Sequence, residues 1–190
     1  MNVLDFFEKS TGTWSVQRTT HHLAFKMSEA GESEVNIQAL GPTDAQVAQV
    51  CAMHEFDASD ALGGAYFTWG GTVEFDEKKH AGETTLVAIP DPEDPQQGQI
   101  LRDKGYAQEV PAVGRYQINP EGVLTVVTPY QGTEAEEKVW FVTPNCRARV
   151  SLVRVRGGVT TMTFCSEIRR LSPEEVNRLA AEINLQAGET

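Results

Sequence analysis

The chain has 190 residues and a net charge of −11, from 16 Lys or Arg and 27 Asp or Glu. This length fits one domain, and a hydrophobic fraction of 40% is too high for a disordered chain. The sequence contains no run of about 18 apolar residues that could span a membrane, and its first residues lack the pattern of a signal peptide. Because phosphate groups require a basic surface, we expect a single domain over residues 1–190 with no nucleic-acid or membrane partner.

The first part of the chain predicts two helices and two strands. Asn2 can cap a short helix that ends at Ser10. Alternation of apolar and polar residues then predicts a strand over residues 12–23, and a second strand is expected over residues 34–40. A second helix is predicted over residues 43–54, with the threonine at its start as the cap.

Short strands separated by turn sequences dominate the remainder. The predicted strands are Gly64–Trp69, Gly71–Asp76, Glu83–Ile89, Val113–Asn119, Val123–Pro129, Glu137–Thr143, Arg147–Arg156 and Val159–Arg169. About nine strands joined by short turns give an antiparallel meander, which leaves exposed edges unless the sheet closes. We therefore predict a mainly β fold: a closed antiparallel up-and-down barrel with a short N-terminal, one internal and one C-terminal helix, the last over residues 172–187.

One segment does not follow this pattern. Residues 90–111 contain four prolines and few apolar residues, which predicts a long loop. Loops of this length in a compact domain are often lids or binding segments. An ordinary surface loop and a binding loop both remain open for this segment.

The cysteines and histidines predict neither a disulfide framework nor a metal site. The three cysteines are an odd number and have no CxxC spacing, so we expect free thiols in a reducing compartment. His21 and His22 are adjacent on a strand and therefore point to opposite faces, which does not suit metal ligands.

The tryptophans allow two interpretations. Trp14 lies two residues after Gly12, at the start of the first strand, where its ring can close one end of a barrel. Trp69 and Trp140 also lie in predicted strands. Large aromatic side chains most often pack in the core, but they also form the walls of pockets for flat ligands.

The arginines are more informative, because their spacing places several on one strand face. Arg147, Arg149 and Ser151 alternate with apolar residues and therefore share one strand face. In the first strand, Arg18 lies on the same face as Trp14. Either these arginines face solvent, or they form an inward cationic patch that binds carboxylates. Residues 141–171 contain six arginines and one acid within an otherwise acidic chain, which favours a small dicarboxylate as ligand.

The neighbouring strand carries two adjacent carboxylates, Glu136 and Glu137. Only one of them can face the barrel interior, and a shift of one residue in register would exchange them. An inward glutamate beside arginine could act as an acid or base, whereas an outward one would belong to a solvated surface.

These motifs resemble the S/U-type phycobiliprotein lyases, which attach bilins to phycobiliproteins. The resemblance rests on residues 6–23, on Trp69 with its two glycines, on residues 137–151 and on residues 167–170. The Glu-Lys-Val-Trp-Phe and Asn-Cys-Arg-Ala-Arg-Val-Ser segments carry most of it. Lys138 stands where the family more often has arginine.

The resemblance implies a lipocalin-like barrel that binds a linear tetrapyrrole such as phycocyanobilin and joins it through a thioether to a cysteine of an apo-phycobiliprotein subunit. The bilin is then a substrate and not a permanently bound cofactor. The resemblance also implies action in the cytoplasm or plastid stroma, and it is compatible with a homodimer or a heterodimer with a related lyase.

The same resemblance suggests roles for individual residues. The predicted catalytic residues are Glu137, Arg149 and His21. The predicted bilin-binding residues are Arg18, Trp69, Trp140, Arg147 and Ser151. Two other functions remain open: a carrier of a tetrapyrrole or fatty acid that transfers nothing, and an assembly chaperone that contacts the apo-subunit through residues 90–111.

Overall fold

The computed structural model describes residues 1–74, 76–104, 111–130, 132–155 and 158–187. This part of the chain forms three α-helices, which are α1 (Val3–Ser10), α2 (Ala45–Met53) and α3 (Pro173–Ala187). It also forms ten strands, which are β1 (Gly12–His22), β2 (Met27–Leu40), β3 (Gly63–Val73), β4 (Asp76–Pro90), β5 (Gln97–Arg102), β6 (Ala112–Ile118), β7 (Leu124–Tyr130), β8 (Thr133–Thr143), β9 (Cys146–Val155) and β10 (Gly158–Arg169).

The strands form a closed antiparallel barrel. Each strand pairs with the next one along the chain, and β10 closes the sheet by pairing with β1. Closure leaves no unpaired strand edge, which is the physical reason why so many short strands are stable in one small domain. The predicted up-and-down barrel with three helices is confirmed.

The first strands are longer than predicted. Gly70 and Gly71 form no turn, because β3 continues through them while it pairs with Glu34 and Ser33 of β2. Cross-strand pairing overrides the local preference of glycine for turns in this place. For the same reason β2 begins at Met27 instead of Glu34, since its polar first half pairs with β1.

The prediction of one long loop over residues 90–111 is wrong in its middle, where β5 lies. Ile100 and Leu101 of this strand are completely buried, one on each side of the sheet. The prolines before β5 belong to the short connection from β4, and residues 105–110 lie outside the described residues.

Helix α1 closes one end of the barrel. Asn2 caps it, since its side chain accepts a hydrogen bond from the backbone of Asp5 at 2.9 Å. Phe6 and Phe7 are buried, and Trp14 is buried beside them and donates from Nε1 to the carbonyl oxygen of Ser10 at 2.8 Å. This is the barrel end that Trp14 was predicted to close, and we call it the closed end.

The other two helices lie outside the barrel. Helix α2 packs Val47, Val50 and Cys51 against the outer face of the sheet, and its cap is Asp44 rather than the predicted Thr43. Helix α3 begins at the predicted capping box of Ser172 and is largely exposed over the part whose side chains are described. No helix in the described ranges is long and apolar enough to cross a membrane.

Phe6→Ala tests the role of α1 in closing the barrel. The change leaves a cavity between α1 and Phe141, whose ring lies 5.3 Å from that of Phe6, so we expect the free energy of unfolding to fall by about 3–5 kcal/mol. Chemical denaturation measures this loss. Val176→Ala, in a half-exposed position of α3, should change stability by less than about 1 kcal/mol. Equal effects of the two substitutions would contradict the packing described here.

Candidate functional site

Side chains that point into the barrel change character from one end to the other. Near the closed end they are apolar and include Val16, Ile100, Tyr116 and Leu124. Beyond this layer the interior becomes polar and charged. Among the residues whose side chains are described, the charged ones that point inward include Arg18, Glu29, Arg102, Glu137, Arg147, Arg149 and Glu167.

Five of these side chains form a continuous chain of alternating charge. Arg147, the deepest, pairs with Glu167 through Nε at 2.9 Å and through Nη2. The other oxygen of Glu167 accepts from Nε of Arg149 at 3.0 Å. Arg149 Nη1 lies 3.5 Å from Oε1 of Glu137, and Arg102 Nη2 donates to Oε2 of Glu137 at 2.8 Å. We call these five residues the interior ion chain.

The register of the strands explains why these charges meet. Arg147 lies opposite Glu167 in the pairing of β9 with β10, and Glu137 lies opposite Ser151 in the pairing of β8 with β9. Since alternate residues of a strand share one face, these pairings direct all three strands' charged side chains into the barrel. Arg102 reaches Glu137 from β5, across the interior.

Burial makes the pairing of these charges necessary. The side chain of Glu167 is only 2% exposed, and burial opposes its ionisation, but Arg149 and Arg147 outweigh that effect and lower its pKa. Burial lowers the pKa of Arg147, and Glu167 counteracts this. A buried charge without a partner costs several kcal/mol, so the pairing within this series stabilises the fold. The Arg147 guanidinium also lies 4.3 Å from the centre of the Trp14 ring.

The interior carries more positive than negative charge. The interior ion chain contains three arginines and two glutamates, and Arg18 adds a further positive charge opposite Cys165. Arg18 lies flat across Gly31, where a Cβ atom would come within 2.6 Å of its Nε. This excess can bind the carboxylates of an entering ligand by charge-assisted hydrogen bonds.

Two uncharged side chains, those of Ser151 and Cys165, adjoin the interior ion chain. Ser151 is buried, and it lies between Glu137 of β8 and Thr163 of β10 in the sheet. Cys165 lies 3.4 Å from Arg149 Nη2, and burial raises the pKa of this thiol. The thiol therefore stays protonated at neutral pH and is a poor nucleophile. Within the described residues, no group of three or more His, Cys, Asp and Glu is arranged to hold a metal ion.

Trp69 lies on the inward-facing set of β3, farther from the closed end than Ala65 and Phe67. It is 39% exposed, which is unusual for an inward-facing ring. The ring packs on Gly82 of β4, where a Cβ atom would come within 2.8 Å of Cε2. Trp69 is therefore an aromatic surface that a ligand in the barrel can reach.

Two predicted site residues are not brought to the interior. Because Glu137 points inward, Trp140 points outward, on the face of the exposed residues Lys138 and Val142. His21 also lies on the outer face, where its ring meets that of Phe164 edge-on at 6.0 Å. The neighbouring His22 has the inward register instead and lies 3.4 Å from Glu29. The predicted cavity positions of Trp140 and His21 are corrected accordingly.

The structure also decides between the two adjacent glutamates and adds one residue. Glu136 is on the outer face, where Arg154 Nη1 donates to it at 2.8 Å. Arg102 was missed because its strand was assigned to a loop. A run of two apolar residues before it, Ile100 and Leu101, is the signal that could have identified a strand ending in this arginine.

Glu167→Gln tests the energetics of the interior ion chain. The change removes the negative charge between the buried guanidinium of Arg147 and the partly buried guanidinium of Arg149, and we expect a loss of about 3 kcal/mol in the free energy of unfolding at pH 7. Because the pKa of Glu167 is lowered by folding, its stabilisation is present above the unfolded pKa of about 4.3 and is lost as the pH falls through the lower folded value.

The difference between wild type and Glu167→Gln should therefore shrink below about pH 4. Denaturant titrations from pH 3 to pH 7 measure it, with the exposed Glu8→Gln as control. A difference that does not depend on pH would contradict the assignment.

Comparisons with known proteins agree with this arrangement. A family model described as CpeS-like protein matches residues 2–170. A protein named chromophore lyase CpcS/CpeS 2 from Synechococcus sp. (strain JA-3-3Ab) is 45% identical over 97% of this chain and 100% of its own length. A phycocyanobilin lyase subunit CpcS from Picosynechococcus sp. is 40% identical over 95% of this chain and 92% of its own length. The solved structure of an S-type phycobiliprotein lyase from Guillardia theta superposes with a TM-score of 0.80 at 30% identity, covering 90% of this chain and 94% of the other. The chain therefore belongs to the CpeS-like family.

Proposed function

We propose that this protein is a chromophore lyase that binds a linear tetrapyrrole of the phycocyanobilin type inside its barrel and attaches it to a cysteine of a phycobiliprotein subunit. The observation that carries the proposal is the interior ion chain, which places excess positive charge in the interior of a barrel that is closed at one end. The proteins named chromophore lyase that resemble this chain over nearly their whole length support it.

The two propionates of the bilin provide the charge that the interior lacks. Arg18 makes no ion pair within the described part of the chain, and the side chain of Arg149 is 22% exposed, so these two can reach a ligand. Arg147 is more deeply buried and is held by Glu167. In this proposal Arg18 and Arg149 bind propionates, Arg147 and Glu167 hold Arg149 in place, and Ser151 orients the bound carboxylate.

Glu137 acts on the pyrrole nitrogens. Its carboxylate faces the interior between Arg102 and Arg149, within reach of a ligand on the Trp69 surface. The pyrrole N–H groups donate hydrogen bonds to this carboxylate, and Glu137 passes a proton to the basic pyrrole nitrogen; the resulting cationic bilin has a more electrophilic ethylidene group on ring A. The acceptor thiol then adds across the ethylidene double bond: the S–H bond and the π bond break, the sulfur forms the C–S bond and the thiol proton is transferred to the bilin, so no oxidant and no leaving group are involved.

The cysteines of the chain are not needed for this chemistry. Cys51 lies on α2, outside the barrel, and Cys165 stays protonated because burial raises its pKa. All three cysteines are free, which suits a reducing compartment such as the cytoplasm or plastid stroma. The proposal includes pairing with a second copy or with a related lyase, which light scattering after gel filtration measures.

Transfer of bilin is the direct test of the function. The protein is incubated with phycocyanobilin and a panel of apo-phycobiliprotein subunits, the mixture is denatured, and zinc-enhanced fluorescence of the separated subunits reports covalent attachment. The proposal predicts attachment above the enzyme-free control for at least one subunit. Bilin that binds to the protein but is never transferred would favour a carrier over a lyase.

Glu137→Gln tests the proton-transfer role. We expect the transfer rate to fall by about 100-fold, which is typical for loss of an acid or base, while the barrel remains folded. Glu136→Gln, on the same strand but on the outer face, is the matched control and should keep the wild-type rate. Equal rates for the two variants would contradict the assignment of Glu137.

Gly82→Ala tests whether Trp69 is a wall of the bilin site. A Cβ atom in this position would displace the indole ring, so we expect weaker bilin binding and an altered Trp fluorescence spectrum. Gly70→Ala is the control, because nothing lies within 4 Å of a Cβ atom there. If both variants bind bilin like wild type, Trp69 is not part of the site.

A further inference from the structure

The two ends of the barrel differ in what the described residues place there. Helix α1, Phe6, Phe7 and Trp14 fill the closed end. At the opposite end, which we call the mouth, β1 runs from Arg18 to His22 and turns into β2. The four residue steps from Arg18 to His22 span about 13 Å, so the β1–β2 connection stands beyond the charged layer, at the end opposite α1.

This connection is unusually apolar for an exposed turn. Leu23 is 46% exposed, Phe25 is 76% exposed and Met27 is 61% exposed. Single exposed apolar side chains are common on proteins, but three within five residues at the mouth of a binding cavity form a patch that is typical of an interaction site. We call these three residues the apolar tip.

The apolar tip is held in place by its surroundings. Residues Leu23–Phe25 form a single 3₁₀ turn, which packs against β10. Lys26, in the left-handed conformation, closes the turn, and its backbone N–H donates to the carbonyl oxygen of Leu23 at 3.4 Å. A contact of 3.4 Å between His22 Nε2 and Glu29 Oε1 joins the two strands directly below. The tip thus presents its side chains from an ordered hairpin.

We infer that the apolar tip is the docking surface for the cysteine-bearing acceptor subunit. The inference rests on the proposed function, because thioether formation brings the acceptor sulfur within bonding distance of a bilin that is still held in the barrel. The acceptor must therefore lie against the mouth. An apolar patch on the acceptor beside its cysteine would cover Leu23, Phe25 and Met27 and direct the thiol inward.

Other occupants of the tip fit the structure less well. A second copy of this chain across the mouth would block the route that the acceptor thiol needs. An anionic membrane surface would repel a chain with a net charge of −11, and Glu29 and Glu74 lie beside the tip, where Glu74 accepts from the backbone of Ala30 at 3.1 Å.

The double substitution Phe25→Ser and Met27→Ser tests the docking role. Lyase loaded with phycocyanobilin is titrated with the apo-subunit that wild type modifies fastest. We expect the KM for the subunit to rise at least tenfold, while kcat at saturation and the Kd for bilin stay within twofold of wild type. Val142→Ser is the control, because Val142 is 60% exposed but lies near the closed end.

The outcomes separate the two proposals. An unchanged KM in the double variant, with wild type active, overturns the docking role and leaves the lyase function intact. The docking role is also overturned, and the lyase function left intact, if the double variant differs from wild type only in self-association, measured by light scattering. The same conclusion follows if it differs only in binding to vesicles of anionic lipid. If wild type modifies no subunit of the panel, the lyase function fails, and the docking role fails with it.

Discussion

A buried charge must find a partner, and this constraint organises the barrel. Glu167 lies almost without solvent contact between two guanidinium groups, and its pKa is lowered because Arg149 and Arg147 outweigh its burial. Arg149 is paired in turn with Glu137, and Glu137 is paired with Arg102, the last member of the interior ion chain. An apolar interior would be easier to stabilise, so the arrangement is best explained by a charged ligand.

The closed sheet is what makes such a chain possible. Its members come from β5, β8, β9 and β10, which no local segment of sequence could bring together. Register matters for the same reason, since a slip of one residue in β8 would exchange Glu137 for Glu136 and point Trp140 inward. Closure by β1 adds Arg18 and places it opposite Cys165, two residue pairs farther from the closed end than Glu167.

The two ends of the barrel differ in the side chains that they place inside it. The closed end is a conventional apolar core, in which α1 packs Phe6 against Phe141 and Trp14 contacts the Arg147 guanidinium. In the charged layer above it, the inward positions include the small residue Ser151 and the glycines beside Arg18 and Trp69. Apolar packing is therefore concentrated at the closed end, and the charged groups lie toward the other end.

Much of this could be predicted from the sequence, because alternation and turn residues are local signals. The barrel and its helices follow from such patterns. Alternation also places Arg147, Arg149 and Ser151 on one strand face, but it does not decide whether that face points inward. The inward choice between Glu136 and Glu137 depends on the turn to β9 and could not be deduced. Arg102 was missed because prolines around β5 resemble a loop, while its pairing with β4 and β6 is a tertiary effect. The sequence likewise could not decide whether His21 or His22 points into the barrel, because that choice also depends on strand register.

The claim that the excess interior charge serves the propionates is tested most directly by removing the charge from the ligand. Absorbance titration compares phycocyanobilin with its dimethyl ester, which keeps the π-system and loses both carboxylates. Since hydrogen bonds to charged groups contribute about 1.5–3 kcal/mol each, the diacid should bind at least tenfold more tightly, and Arg149→Ala should reduce that preference. Equal affinity for the diacid and the ester would contradict the account.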